Sequence, residues 1–384
     1  KPFLTKNAGI QTFTLLTLKR IIFFTLVSFL IPCESAIGET RVSATPETVK
    51  KFLGMGGKVF LEKGAGEAAG FFDNSYLNAG AELVEKENNE LKKTVDIVLC
   101  VQPPSEKFLS NLKSGSFLIG LLDPYGNKSL AEILKKQKVS AISLELLPRI
   151  SRAQSSDALS SQANIAGYKS VLLAASALDR YFPMLMTAAG TIQPSKVVVL
   201  GAGVAGLQAI ATAKRLGAVV YVSDIREAVK EQVESLGARF IDLPKINEAP
   251  SESGGYAKQV SDEFLIEQRK ELAKKLSEAD VAICTAQVPG KKAPKLIDEI
   301  MLDDMRPGSV VVDLAVLSGG NCACSKPGET IVRKGVKIVG ASNLPCSIPN
   351  HASSLYSRNL LSLLKPMFKE GKFLIDNDDE LIAG

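Results

Sequence analysis

Short aliphatic and β-branched runs alternate with stretches of helical periodicity along most of the chain. The runs at 58–62, 96–101, 117–121 and 141–145 each precede a Pro, Gly or Asn punctuation and then an amphipathic stretch. That order predicts a parallel sheet covered on both faces, because parallel strands need a crossover and a helix supplies it. A second series at 197–200, 219–223, 238–241, 281–285, 310–314 and 337–339 spaces out as six strands, enough for a complete doubly wound nucleotide-binding domain. Between the two series, 163–181 carries Ile165, Tyr168, Val171, Leu172, Ala175 and Leu178 at helical spacing, which predicts a long connecting helix. After the last strand, Leu355, Leu360, Leu361 and Leu364 repeat that pattern, so the chain is expected to return onto the first domain. The fold class read from this is α/β: two Rossmann-like doubly wound parallel-sheet domains with a cleft between them. Their expected extents are 26–160 plus 350–384, and 161–349.

The beginning of the chain is ambiguous on pattern alone. Lys1, Lys6, Lys19 and Arg20 precede an apolar run at 21–31, the arrangement of a secretory signal, but no small-residue cleavage site separates the run from the folded sequence after it. The run also falls short of the about 20 apolar residues that cross a bilayer. A buried strand over 26–31, stopped by Pro32, is the preferred expectation, with 1–25 an extension of unassigned role.

Composition narrows the function classes. The 384 residues are 46% hydrophobic, and 46 basic against 41 acidic residues leave a net charge of +5. Disordered, collagenous and disulfide-stapled classes are excluded, and the charge is too mild to announce a nucleic-acid surface. His351 is the single histidine, which removes mechanisms needing two imidazoles, and it is read as structural beside a helix start. The cysteines (Cys33, Cys100, Cys284, Cys322, Cys324, Cys346) lack the paired spacing of a zinc site, so no metal is expected and reduced thiols in a reducing compartment are. A metal or redox role for the close pair Cys322 and Cys324 is the alternative.

The sharpest motif is Gly201-Ala-Gly203-Val204-Ala205-Gly206, directly after an apolar strand and before an Ala-rich stretch that ends at Lys214, Arg215 and Gly217. Gly201 permits the tight turn, Gly203 lets the backbone approach a pyrophosphate, and Gly206 allows close helix-to-strand packing. The helix N-terminus beyond it offers N–H groups to phosphate oxygens. Asp224 ends the next strand, where a carboxylate can accept from adenosine ribose hydroxyls and repel a 2′-phosphate, so NAD(H) is expected over NADP(H). Arg226 is the discordant neighbour, since an Arg there can accommodate that phosphate, and a plain strand-end cap is the bland reading of Asp224.

Three further segments carry candidate chemistry. The polar stretch 148–162 lies between a strand and the connecting helix, hence at the cleft, and contains Arg149, Gln154, Asp157 and Ser160; its bland reading is a helix start capped by Ser155 or Asp157. Ser253-Gly-Gly-Tyr256-Ala suits a mobile loop that swings a ring over a ligand, or a surface turn. Lys291 and Lys292 follow Pro289-Gly290 and either reach a phosphate or are solvated. The acidic end, 376–380, reads as a solvated turn.

These segments, together with Gly38-Glu-Thr-Arg41-Val-Ser-Ala-Thr-Pro46-Glu, Thr187-Ala-Ala-Gly190-Thr, Lys230-Glu-Gln-Val-Glu-Ser-Leu-Gly237, Gly254-Gly-Tyr-Ala-Lys258, Pro307-Gly-Ser-Val and Gly319-Gly-Asn-Cys, resemble the alanine dehydrogenase/transhydrogenase family. Within it the closer likeness is to the NAD(H)-binding domain of proton-translocating NAD(P) transhydrogenase α subunits. The resemblance runs from about residue 26 to 384.

It implies that Arg149, Gln154, Asp157 and Ser160 position the dihydronicotinamide and that Tyr256 belongs to a loop closing over NAD(H). It further implies that Gly201, Gly203, Val204, Ala205, Gly206, Asp224, Ile225, Arg226, Gln287 and Asn343 hold that cofactor. Hydride would pass to NADP(H) on a partner subunit, with proton translocation in membrane-spanning subunits. The chain would be a homodimer, cytoplasmic and peripheral to the inner membrane. Alanine dehydrogenase chemistry is the runner-up; its substrate Lys would fall at Cys100, its His near Leu121 or Leu122 and its acid at Leu317 or Ser318. A non-catalytic NAD-binding module is the third reading.

Overall fold

The structure is a computed structural model and describes residues 22–24, 27–86, 88–242, 252–253, 256–257, 262–288, 290–369, 372–376 and 378–383. The first sheet is built from β1 (Ser28–Ile31), β2 (Lys58–Glu62), β3 (Glu82–Val84), β4 (Ile97–Leu99), β5 (Phe117–Gly120) and β6 (Ser140–Ser143). All pairs are parallel and the spatial order is β3-β2-β1-β4-β5-β6. Alternate side chains enter opposite cores, as a sheet covered on both faces requires. Phe29 and Ile31 pack with Phe52 and Tyr76 on one face, whereas Leu30 and Val98 pack with Leu109 and Leu118 on the other.

The second sheet contains β7 (Lys196–Leu200), β8 (Val219–Ser223), β9 (Arg239–Phe240), β10 (Val281–Cys284), β11 (Val310–Asp313), β12 (Thr330–Arg333) and β13 (Val336–Gly340). Their order is β9-β8-β7-β10-β11-β13-β12, parallel except for the edge strand β12. Both sheets therefore reverse direction of growth beside their first strand, between β1 and β4 and between β7 and β10. A crevice opens outside the strand ends at such a switch point.

Three helices join the halves: α1 (Ala158–Ala177), α2 (Val204–Arg215) and α3 (Pro349–Leu364). The connecting helix thus begins five residues earlier than its periodicity predicts, because Asp157 caps it: Ser160 donates its N–H to Asp157 Oδ1 at 2.8 Å and its hydroxyl to Oδ2 at 2.6 Å. Midway along α1, a Cβ on Gly167 would stand 2.1 Å from the Ala205 carbonyl oxygen, so only glycine lets α1 and α2 cross this closely. Helix α3 returns to the first sheet, where Tyr356, Leu360, Leu363 and Leu364 are fully buried and Tyr356 Oη donates to the Cys100 carbonyl at 2.7 Å.

One expectation is corrected at the start of the chain. Ile22–Phe24, inside the stretch 1–25 read as an extension, forms a strand antiparallel to Lys372–Ile375. The apolar run at 21–31 is accordingly shared between two strands in different sheets, and its apolar character follows from pairing at both. Residues 1–21, Thr25 and Leu26 lie outside the described residues. Among the described residues, no helix is long and apolar enough to cross a membrane.

Candidate functional site

The glycine motif occupies the turn from β7 into α2. Gly201 sits at φ +97°, a left-handed conformation that side chains disfavour. Gly203 is the N-cap at φ −76°, ψ −169°; no side chain caps the helix, and a Cβ there would meet nothing within 4 Å. The first-turn N–H groups, Val204, Ala205 and Gly206 among them, have no intrahelical acceptor. A Cβ on Gly206 would stand 1.9 Å from the Gly201 carbonyl oxygen, which is the close packing the third glycine of such a motif provides. An open face with unpartnered donors fits a pyrophosphate.

Asp224 is buried at the end of β8 and reaches back to this turn. Its Oδ2 accepts from Ala202 N–H at 2.7 Å and from Arg226 Nη2 at 2.8 Å, and its Oδ1 accepts from Arg226 N–H at 2.9 Å and Nε at 3.0 Å. These contacts are those of the strand-end reading. Four donors occupy the lone pairs of this carboxylate, so a ribose hydroxyl binds it only as the Arg226 fork moves aside. Ile225 is half-buried between the two.

Sequence reasoning missed what holds the opposite wall. Thr285 donates its hydroxyl to the carbonyls of Leu200 at 3.1 Å and Gly201 at 2.9 Å. Asn321, fully buried, accepts from Ala286 N–H at 3.0 Å and donates to the carbonyls of Ala286 at 2.9 Å and Pro294 at 2.8 Å. Asp313 accepts from Cys322 N–H at 3.1 Å and pins the Gly-Gly-Asn turn. The one legible signal was an Asn after two glycines. Gln287 is exposed and donates to the Leu314 carbonyl at 2.8 Å, while Lys291 and Lys292 are exposed.

Arg149, Gln154, Asp157 and Ser160 come together. They share a cavity of about 730 Å³ with Tyr125, Glu145 and the apolar side chains of 144–150. A 3₁₀ turn at Ser151–Ser156 presents the polar edge, fixed from behind where Asn359 of α3 donates to the Ser155 carbonyl at 2.8 Å. Arg152 pairs with Asp379, so part of the acidic end is an anchor for this loop. Glu145 accepts from Leu122 and Asp123 N–H groups and from the Ser143 hydroxyl, all within 3.1 Å. Asp157 is spent on its helix cap, and Arg149 and Gln154 are among the exposed polar residues of the loop.

Behind the cleft lies a buried ion pair. Arg41 donates Nε to Glu39 Oε1 at 2.7 Å, Nη2 to Oε2 at 2.6 Å and Nη1 to Gln162 at 2.9 Å. Burial would raise the Glu39 carboxyl, but hydrogen bonds and charge from Arg41 outweigh it and hold the group at about 2. Asn343, left-handed at φ +47°, donates to Glu39 Oε2 at 3.1 Å, and the Cys346 thiol donates to Oε1 at 3.0 Å. Asn343 therefore ties the second sheet's end to the first half. Glu34 is different: burial lifts it to about 7, against the N–H groups of Val101 and Gln102 that it accepts at 2.6 and 3.0 Å.

At the position where the substrate lysine of an alanine dehydrogenase would fall, Cys100 points into the apolar core with Leu30, Val98 and Leu118, its thiol donating weakly to the Ile119 carbonyl at 3.6 Å. Leu122 is buried in the same core. Tyr256 lies on a short hairpin whose other strand is Glu252–Ser253; Gly254, Gly255 and Lys258 lie outside the described residues, as does Pro289. His351 is exposed in the first turn of α3. Among the described residues, no cluster of His, Cys, Asp and Glu is placed to hold a metal ion, and the six cysteines are free thiols.

Comparison with known proteins adds lineage to this geometry. Residues 30–166 match the model of the alanine dehydrogenase/PNT N-terminal domain and residues 170–384 that of the C-terminal domain. The chain is 47% identical over 362 residues to the first portion of the NAD(P) transhydrogenase alpha subunit of Rhodospirillum rubrum, covering 92% of this chain and 94% of that one. The crystal structure of a transhydrogenase from Sinorhizobium meliloti superposes with a TM-score of 0.83 at 43% identity, over 93% of this chain and 96% of that one. An L-alanine dehydrogenase structure follows with a TM-score of 0.76 at 27% identity, over 93% and 94%.

Proposed function

Since the chain belongs to the alanine dehydrogenase/PNT family, we propose that it is the NAD(H)-binding α subunit of an NAD(P) transhydrogenase. In this reading the glycine turn holds the pyrophosphate on the first-turn N–H groups of α2, and Asp224 meets the adenosine ribose. Ile225, Arg226, Gln287 and Asn343 complete the walls. When bound, the dinucleotide supplies a hydride that passes to NADP⁺ on a partner subunit. Arg149 and Gln154 orient the nicotinamide, Asp157 and Ser160 stiffen the turn that carries them, and the Tyr256 hairpin covers the nucleotide. Direct hydride transfer requires orientation and exclusion of water, and no proton-transferring side chain at the reacting carbon.

The observation that carries this choice is the lining of the cavity. Its described residues include no His and no Lys, and Glu145 is occupied by three donors of its own chain. Arg149 could take the carboxylate of a keto acid, but amination also needs a proton donor at the reacting carbonyl, which an amino-acid dehydrogenase would have to place here. The exposed hairpin Leu185–Thr187 and Gly190–Ile192, with Met184, Met186 and Ile192 in solvent, supports a homodimer. The division into 26–160 with 350–384, and 161–349, goes with this reading. The setting proposed is the cytoplasmic face of the inner membrane, where membrane-spanning subunits couple the transfer to proton movement and an NADP(H)-binding subunit docks at the cleft.

The test is hydride transfer from NADH to an NADP⁺ analogue, followed by absorbance, with the purified chain and the NADP(H)-binding subunit mixed in one cuvette and pyruvate with ammonium in another. Turnover in the first alone is expected. Turnover in the second alone would overturn the proposal, and NADH binding without turnover in either would leave a binding module.

A further inference from the structure

A tyrosine that the site residues above do not include stands where the two halves meet across the cleft. Tyr125 lines the cavity of the Arg149–Ser160 loop and is 54% exposed. It lies at the apex of the turn after β5, and that turn is rigid. Glu145 takes the N–H groups of Leu122 and Asp123 at 3.1 and 2.9 Å, Asp123 sits at φ +49°, and Gly126 donates back to Asp123 Oδ1 at 3.1 Å. Asn127 then caps the helix Lys128–Gln137 by accepting from Leu130 N–H at 3.2 Å. The ring is thus delivered from a fixed base, although an exposed aromatic in a loop ordinarily samples several rotamers.

What the ring touches belongs to the other half. Gly290, in the loop after β10, has φ +67°, and a Cβ on it would stand 3.0 Å from both Cγ and Cδ1 of Tyr125 and 3.4 Å from Cε1. One edge of the ring stands over the bare Cα of this glycine, a contact that a side chain at 290 would crowd. The same loop carries Gln287 and is anchored through Ala286 by Asn321. On the far side the halves are joined continuously through α1, α3 and the Glu39–Asn343 contact. The Tyr125–Gly290 contact is thus a separate junction between the halves, made at the mouth of the cavity.

We propose that Tyr125 is a positioning residue that latches the first half to the Gly290 loop over the nicotinamide chamber, setting how fast NAD(H) leaves and keeping water from the reacting face. The inference rests on the proposed function, because the chamber is the one assigned to the nicotinamide there. An aromatic ring fits the role: it seals apolar area and slides off without breaking a hydrogen bond.

The test measures NADH release by stopped-flow, using the fluorescence of NADH itself, which the lack of tryptophan in this chain leaves clear of tryptophan background. Tyr125→Ala should release NADH about tenfold faster, with hydride transfer to the partner subunit slowed and the melting temperature unchanged. Tyr125→Phe should restore the wild-type rate, since the ring and not the hydroxyl makes the contact. Gly290→Ala should mimic Tyr125→Ala by pushing the ring away. Without nucleotide, Tyr125→Ala should also raise hydrogen exchange in 284–292. Wild-type protein that fails to bind NADH would overturn the proposed function; wild-type binding with unchanged release and exchange in both Tyr125→Ala and Gly290→Ala would overturn the latch alone. Loss of the effect in Tyr125→Phe as well as Tyr125→Ala would assign it to the hydroxyl and overturn it too.

Discussion

Replacing Gly203 or Gly206 by alanine adds the same methyl group three residues apart, yet the two should fail in different ways. At Gly206 the new Cβ would lie 1.9 Å from the Gly201 carbonyl oxygen, 2.9 Å from its carbon and 3.1 Å from Thr285 Oγ1. A carbon and an oxygen that are not bonded need about 3.2 Å or more, so the carbonyl must retreat by about 1.3 Å. That carbonyl accepts the Thr285 hydroxyl at 2.9 Å, and Gly201 is already left-handed at φ +97°. Overpacking of this kind costs about 1–3 kcal/mol and the lost hydrogen bond about 1 more. A unit of this size loses about 2–4 °C of melting temperature per kcal/mol, so Gly206→Ala should melt roughly 4–16 °C lower.

At Gly203 the methyl would meet nothing within 4 Å, and φ −76°, ψ −169° suits any residue. Removing backbone freedom from the unfolded chain then raises stability by about 0.4–1 kcal/mol. The open face is where the pyrophosphate should come closest, however, and losing one or two charge-assisted N–H contacts weakens NADH binding by about 10–100-fold. Differential scanning fluorimetry and titration of NADH fluorescence give both numbers for both variants. Wild-type NADH affinity in Gly203→Ala, with its stability intact, would refute the placement of the pyrophosphate. A wild-type melting temperature in Gly206→Ala would refute the packing of α2 against β7.

The remaining expectations concern charge and the loop. Asp224→Asn should cost about 1–3 kcal/mol in chemical denaturation, because Ala202 N–H and the Arg226 fork lose their acceptor, and should also weaken NADH binding and relax discrimination against NADPH; unchanged affinity for both nucleotides would remove Asp224 from the ribose site. Arg149→Ala and Gln154→Asn, both at exposed positions, should slow hydride transfer far more than they weaken NADH binding, and equal losses would assign the loop to binding alone. Glu34, lifted by burial to about 7, favours the folded state below its unfolded value near about 4.3 and loses that contribution as pH rises toward 7. A rise of that size corresponds to a loss of about 3–4 kcal/mol at most. Urea midpoints in Glu34→Gln should therefore be flatter between pH 4.5 and 7.5, and a parallel pH profile would show that another group titrates. Glu39, held at about 2 by Arg41, acts oppositely, and its contribution disappears only in more acidic solution.

What the sequence revealed divides along a physical line. Strands β1, β2, β4, β5 and β6 and the parallel strands of the second sheet were legible, the central ones because a strand buried on both faces is continuously apolar, and the edge strands β6 and β9 because they fall in step with the alternation. Glu82–Val84, Thr330–Arg333 and the hairpin at Leu185–Ile192 were not, since edge strands exposed to solvent carry polar residues and lose the signal. Ile22–Phe24 was absorbed into an apparent leader because its partner, Lys372–Ile375, lies at the other end of the chain. The lone glycine in the connecting helix did carry information: Gly167 costs an isolated helix about 1 kcal/mol and is explained by the crossing with α2.

The same line runs through the site. Residues that would touch a ligand announced themselves, since Gly201, Gly203 and Asp224 must stand at fixed offsets along one strand–turn–helix unit, and the 148–162 stretch is polar where the surrounding chain is apolar. Residues that hold those groups in place did not, because their partners are distant: Asn321 reaches back to Ala286, Asn359 to Ser155, Arg41 to Gln162, and Tyr125 to Gly290. Cys100 shows what offset alone does not tell, for the alternate residues Leu99 and Val101 enter the other core and Cys100 is buried with Leu30 and Val98. A chain with this glycine turn and a histidine-free cavity can orient a dinucleotide and keep water from it. The supporting groups above decide how long it does so, which is why the sharpest tests separate residence of NADH from its binding and its reaction.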